Sequence, residues 1–252
     1  MIPYRDENET QRRAIVTGAI IGLNLYCWFF VQGAGGDISL AKSVCELGLI
    51  PGELTGSLPV GSRFPMGRGL ACLTDPGPQL SHLITSMFLH GSWMHLLGNM
   101  WFLWLFGNNV EDSMGRLRFA AFYLITGLAA AFGQVITNPN SIIPMVGASG
   151  AISGVMGAYL ILYPRVKVYV LVPIFIFFTS IALPAWMMLG YWFFIQLASG
   201  LLSSGEMGGV AFWAHIGGFV AGVVLIKIFV RDEYVRAHRA HHWRPQRLMR
   251  DS

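Results

Sequence analysis

Four polar side chains lie in otherwise apolar stretches of this sequence, and their types could combine into a hydrolytic site. Ser149 stands among small residues in Val146-Gly147-Ala148-Ser149-Gly150-Ala151-Ile152-Ser153-Gly154. His215 lies in Ala214-His215-Ile216-Gly217-Gly218. His95 and Asn99 are four apart, which puts them on one helix face. A serine hydroxyl is a weak nucleophile until a base takes its proton, and histidine does this near neutral pH. The tetrahedral intermediate then carries an oxyanion that needs preorganised donors. His95, Asn99 and the amides at the start of the segment after Ser149 suit that role, and a helix N-terminus adds a positive dipole end. Each residue also has a plainer reading. Ser149 could be a small packing residue, and His95 and Asn99 could join helices by hydrogen bonds. Ionisable groups within spans are functional by default, which favours the catalytic reading of His215.

The elements that must position these residues are membrane helices. Of the 252 residues, 54% are hydrophobic and only 12% charged, about half the charged share of a soluble domain; the mean hydropathy is +0.54. A helix needs about 20 mostly apolar residues to span a bilayer. Six segments come close: 14–33, 91–107, 117–137, 148–163, 184–202 and 211–230. The fold class expected is an all-α membrane protein, a six-helix bundle with a long outer loop between its first two spans. It divides into a cytoplasmic segment 1–13, polar and partly disordered, a membrane domain 14–230 and a basic cytoplasmic tail 231–252.

Charge sets the orientation. The chain holds 17 Lys and Arg. With an inner N-terminus, all of them but Lys42, Arg63 and Arg68 fall on the inner side, and the positive-inside rule favours both termini there. The second, fourth and sixth spans then run inward. Ser149, His215, His95 and Asn99 share one depth near the outer surface, although lysine and arginine alone set the topology. Gly150, Gly154 and Gly157 form a small-residue stripe on the fourth span. His215, Gly218 and Gly222 share a face of the sixth, and two such stripes can bring helices close together.

The remaining segments are less telling. Gly18-x-x-x-Gly22 in the first span is a close-approach spacing. Residues 34–80 form a Gly- and Pro-rich outer connection, whose apolar Leu47-Gly48-Leu49-Ile50 suits the headgroup region. Cys45 and Cys72 both fall there, with pairing left open, and Cys27 lies in the first span. Residues 166–183 contain Pro173 and nearly span, but a seventh span would break the charge pattern, so they are placed at the inner interface as strand or short helix. Glu111 and Asp112 read as inner-interface charges. His90 suits a structural bond to the outer loop, and His238, His241 and His242 belong to the tail surface.

Taken together and in order, His90 and His95 with Asn99, Gly147-Ala148-Ser149-Gly150, and Ala214-His215-x-x-Gly218-x-x-x-Gly222 resemble the rhomboid family of intramembrane serine proteases. The resemblance implies a Ser149–His215 dyad without an aspartate and an oxyanion hole from His95, Asn99 and the Ser149 amide. It implies substrates that are single-span membrane proteins with helix-destabilising residues near the cut. The fifth span and the loop at 203–210 would be gate and cap. Two departures stand out. The Trp-Arg pair common in the family's first outer loop occurs here only as Trp243-Arg244 in the tail. Ser153 occupies the position where some members stack a tyrosine on the catalytic histidine. No cofactor or metal is expected, since there is no H-E-x-x-H spacing. Partners are membrane-protein substrates and the lipid bilayer, not nucleic acid. The compartment expected is a bacterial-type inner membrane, with the site opening outward. The alternative is a catalytically weak, client-binding relative. A transporter fits less well, as no internal repeat is seen.

Overall fold

The computed structural model describes residues 2–67, 69–174, 177–202 and 210–236. The expected cap therefore falls outside the described residues except for Val210, as do Arg68 and the tail from Ala237 onward.

Helices dominate the chain. Helix α1 (Ile15–Tyr26) continues as a wider turn to Val31, and α2 (Asp37–Leu47), α3 (Pro51–Leu54) and α4 (His82–Thr85) follow it. The main bundle adds α5 (Trp93–Met114), α6 (Arg116–Thr137), α7 (Ser149–Leu162), α8 (Ala185–Leu202) and α9 (Phe212–Phe229). Among the described residues, α6, α8 and α9 are long and apolar enough to cross a membrane, while Ile15–Val31 and α7 are shorter apolar helices. Local chemistry sets the boundaries. The Ser92 hydroxyl accepts from the His95 amide at 3.1 Å and caps α5. Gly115, at φ +82°, ends α5 in a conformation that favours glycine and turns the chain into α6. Helix α7 is apolar all round, as a helix surrounded by protein must be, and every residue from Gly150 to Tyr159 is buried.

The N-terminal segment and residues 166–183 differ in part from expectation. Residues 2–6 are not loose: they form strand β1 (Ile2–Asp6). The 166–183 segment forms a hairpin of β4 (Lys167–Ile174) and β5 (Phe177–Pro184), which is the strand alternative of the two considered. Alternating Val168 and Val170 face the core and are fully buried, as the strand period requires. Strand β1 pairs antiparallel with β4, giving the order β1-β4-β5. Glu111 and Asp112, read above as inner-interface charges, are each 3% exposed. Asp112 holds Arg12 at 3.0 Å and accepts from the Gln11 amide at 2.9 Å. Glu111 accepts from the Val16 amide (3.0 Å), the Thr17 amide (2.8 Å) and the Thr17 hydroxyl (2.8 Å). A carboxylate from α5 thus satisfies the first-turn donors of α1, which carries no side-chain cap of its own. Glu111→Ala strands these buried donors and is expected to cost about 3 kcal/mol, read as a lowered melting temperature in detergent. Glu111→Gln should lose roughly half as much. A Glu111→Ala variant that melts with the wild type would refute this cross-helix cap.

The connection at 34–80 is also more ordered than its Gly and Pro content implied. Besides α2 and α3 it contains a hairpin, β2 (Arg63–Gly67) with β3 (Leu70–Leu73). Cys45 and Cys72 are joined, with Cα atoms 5.6 Å apart. Leu49 and Ile50, assigned above to the headgroup region, are each 1% exposed and buried against protein. Leu49 exchanges two main-chain bonds with Met145 (3.0 and 2.7 Å), and the Thr85 hydroxyl donates to the Leu47 carbonyl at 2.7 Å. These contacts fasten the connection without a Trp-Arg pair. A Cβ at Gly18 or Gly22 would meet nothing within 4 Å, so that spacing mediates no close packing among the described residues.

Candidate active site

Ser149 is the first residue of α7, so its amide has no partner within the helix. The segment leading into it is held from outside: the Gly147 amide donates to the Ser86 carbonyl at 2.9 Å, and Met145 is bridged to Leu49. Gly147 has φ +128°. A Cβ there would also come within 2.8 Å of the His95 ring, so both backbone and space call for glycine.

The glycines of α7 and α9 face one another. A Cβ on Gly218 would run into the Gly150 carbonyl, one on Gly222 into the Gly154 carbonyl, and one on Gly157 into the Phe219 carbonyl. At the end of this seam where α7 and α9 begin, Ser149 Oγ and His215 Nε2 are 2.8 Å apart. His215 Nδ1 lies 2.7 Å from the Gln196 Oε1 on α8, and the Trp192 ring, one turn earlier, sits 5.9 Å from the imidazole. Ser153 does not reach the histidine. Its hydroxyl donates back to the Ser149 carbonyl at 2.7 Å.

The two α5 residues face the same space. Ser149, His215, His95, Asn99, Gly147 and Trp192 all line one cavity of about 740 Å³. His95 Nδ1 accepts a long 3.4 Å bond from the Gly91 amide, which leaves Nε2 to donate. Asn99 is 7% exposed, and its Nδ2 bonds no protein atom among the described residues. An unpartnered donor that lines the same cavity as the Ser149 hydroxyl is the kind of group a developing oxyanion would use. His90 is fully buried with its ring 5.1 Å from that of His95. The link to the end of the first helix is made by its main chain instead: the Gln32 amide group donates to the His90 carbonyl and accepts from its N–H, both at 2.8 Å. Among the described residues no group of three or more His, Cys, Asp or Glu is disposed to hold a metal ion.

Sequence reasoning missed Gln196 and Trp192. The signal was present but faint: Gln196 is the lone side-chain amide in the apolar stretch 185–202, four residues beyond Trp192.

Comparison with known proteins agrees with this reading of the fold. The Rhomboid domain model matches residues 77–232. RHOMBOID-like protein 5 of Arabidopsis thaliana is 38% identical over 78 residues, 31% of this chain and 25% of that protein. Rhomboid-like protease 5 of Toxoplasma gondii is 30% identical over 154 residues, 58% of this chain and 16% of that protein. Presenilin-associated rhomboid-like protein A, mitochondrial, of Danio rerio is 34% identical over 106 residues, 41% and 28% respectively. The chain thus spans less than a third of the length of each of these relatives. The Rhomboid domain match and the chain's own apolar helices α6, α8 and α9 make it an integral membrane protein. With the domain match running from ahead of α4 to beyond the end of α9, over more than half of the sequence, the chain belongs to the rhomboid family.

Proposed function

We propose that this protein is an intramembrane serine endopeptidase working through a Ser149–His215 dyad. The observation that carries the reading is the 2.8 Å contact between Ser149 Oγ and His215 Nε2 in a cavity also lined by His95 and Asn99. His215 takes the hydroxyl proton as Oγ attacks the scissile carbonyl carbon. His95, Asn99 and the Ser149 amide stabilise the oxyanion. The C–N bond then breaks, His215 passes its proton to the leaving amine, and an acyl-enzyme remains on Ser149. A water deprotonated by His215 hydrolyses it. Gly150, Gly154, Gly218 and Gly222 support the site by holding α7 against α9. The substrates are single-span membrane proteins with helix-destabilising residues near the cut.

The membrane arrangement we propose has six spans (the first helix and α5 to α9), both termini cytoplasmic, and the site opening to the outer face of a bacterial-type inner membrane. Two features support the orientation. Lys and Arg are concentrated at the end away from the site, and the Cys45–Cys72 bridge lies at the site end, as an oxidising outer compartment would allow.

The test is purified protein in liposomes with a single-span reporter and a fluorophosphonate probe. Wild type should cleave the reporter and label at Ser149, and Ser149→Ala should do neither. Cleavage that survives in Ser149→Ala would sink the mechanism. Reporter binding without cleavage or labelling in the wild type would favour the client-binding alternative.

A further inference from the structure

We infer that Gln196 is a positioning residue that selects the catalytically competent tautomer of His215, so that the base is set by α8 as well as by α9, which carries it. The inference rests on the hydrolytic reading of Ser149 and His215.

An amide oxygen only accepts hydrogen bonds. With Gln196 Oε1 at 2.7 Å from Nδ1, the ring must carry its proton on Nδ1 to make that bond. Nε2 then presents a lone pair to the Ser149 hydroxyl at 2.8 Å. The other tautomer loses the Gln196 bond and turns a proton, not a lone pair, toward the Ser149 hydroxyl, which would then accept instead of donate. Orientation and tautomer choice are the tasks that a third group performs for the histidine of a hydrolase. Here no carboxylate performs them. A neutral amide does so at a lower desolvation cost than a buried charge. Trp192 lies one turn earlier on the same face of α8 and flanks the imidazole. From α7 no side chain does so beyond Ser149 itself, because Ser153 is turned back to the Ser149 carbonyl.

Helix α8 reaches the site by docking on α9. Trp192 and Phe193 pack on Phe219, with ring centroids 6.0 and 4.7 Å apart, and Gly200 lies close to Phe212, Trp213 and Ile216. Undocking α8 therefore removes the Nδ1 partner along with the ring contact. The base is correctly oriented only while α8 is closed against α9.

The titratable group facing His215 from the packed elements is His95 on α5; α7 presents the Ser149 hydroxyl, and α8 presents the uncharged Gln196 and Trp192. A carboxylate introduced at 196 would thus act on His215 with little competition.

Gln196→Leu keeps the volume and removes the acceptor. It should lower kcat about 100-fold with KM within twofold, and slow fluorophosphonate labelling of Ser149 in the same proportion. Gln196→Glu restores an acceptor and adds charge. It should retain labelling and move the acid limb of the kcat profile upward by about 1 pH unit, because a neighbouring carboxylate favours the imidazolium. Melting temperatures separate positioning from folding, and Gln196→Met replaces the leucine variant if that one unfolds. A folded Leu or Met variant with kcat within about threefold of wild type overturns the assignment, as does a Glu variant whose acid limb coincides with that of the wild type. Ser149→Ala run alongside keeps the two readings apart. Its cleaving would remove the hydrolytic reading itself, whereas an inactive Ser149→Ala beside a fully active Leu variant removes only the role of Gln196.

Discussion

Replacing His215 by alanine is expected to lower kcat/KM for a membrane reporter by at least about 10⁴-fold, with the melting temperature in detergent nearly unchanged. The imidazole meets Ser149, Gln196 and Trp192 at the wall of the cavity. Its removal leaves space, but the packing of α9 on α7 is made by glycines further along the seam. What disappears is the only base within hydrogen-bond reach of Ser149 Oγ among the described residues. Without it the hydroxyl must ionise unaided, far from its ordinary range. Residues acting as one unit do not contribute additively, so Ser149→Ala with His215→Ala should be no slower than either alone. KM should stay within a few-fold, because neither group is asked to hold the ground-state helix. A His215→Ala protein retaining a tenth of wild-type turnover would show that another group deprotonates Ser149. A double variant much slower than both singles would show that the pair does not act together.

Gly222→Val should be the most damaging single change to stability in the bundle. A Cβ at 222 would collide with the Gly154 carbonyl, and backbone, unlike the end of a long side chain, cannot step aside. The helices must separate over the whole seam, at a cost of about 3 kcal/mol or more. Even Gly222→Ala should be strongly destabilising. The control is Gly190 on α8, where a Cβ meets nothing within 4 Å. Gly190→Ala should be neutral or stabilising by up to about 1 kcal/mol, through helix propensity. Since α7 carries the serine and α9 the histidine, separation also lengthens the 2.8 Å contact. Any folded fraction of Gly222→Val should label poorly with fluorophosphonate, a readout that ordinary destabilisation would not move. Equal melting temperatures for Gly222→Ala and Gly190→Ala would refute the backbone-contact account.

Apolar segments with clear edges were legible because membrane burial leaves long runs and few charges. The expected 184–202 and 211–230 lie within two residues of α8 and α9 at both ends. Ser149, His215, His95 and Asn99 were readable as a set because polar residues are conspicuous in such runs. What was hidden depends on contacts that sequence spacing does not encode. Gln196 becomes meaningful only once α8 docks on α9. Glu111 looks like any acidic residue near a helix end until its carboxylate is found on the first turn of α1. Residues 2–6 are polar enough to read as loose, and their order comes from a strand far along the chain. In the outer connection, glycines and prolines signalled breaks correctly but concealed the short elements between them.

That distant pairing bears on how the protein is made. Pro3 pairs with Val170, and Asp6 accepts from the Tyr159 hydroxyl at 2.6 Å and from the Asn109 side chain at 3.1 Å. None of these contacts to β4 or α7 can form before the chain has been synthesised past Tyr159. Contacts of such long sequence separation form late. The β1-β4-β5 sheet therefore acts as a seal on elements already made rather than as their starting point.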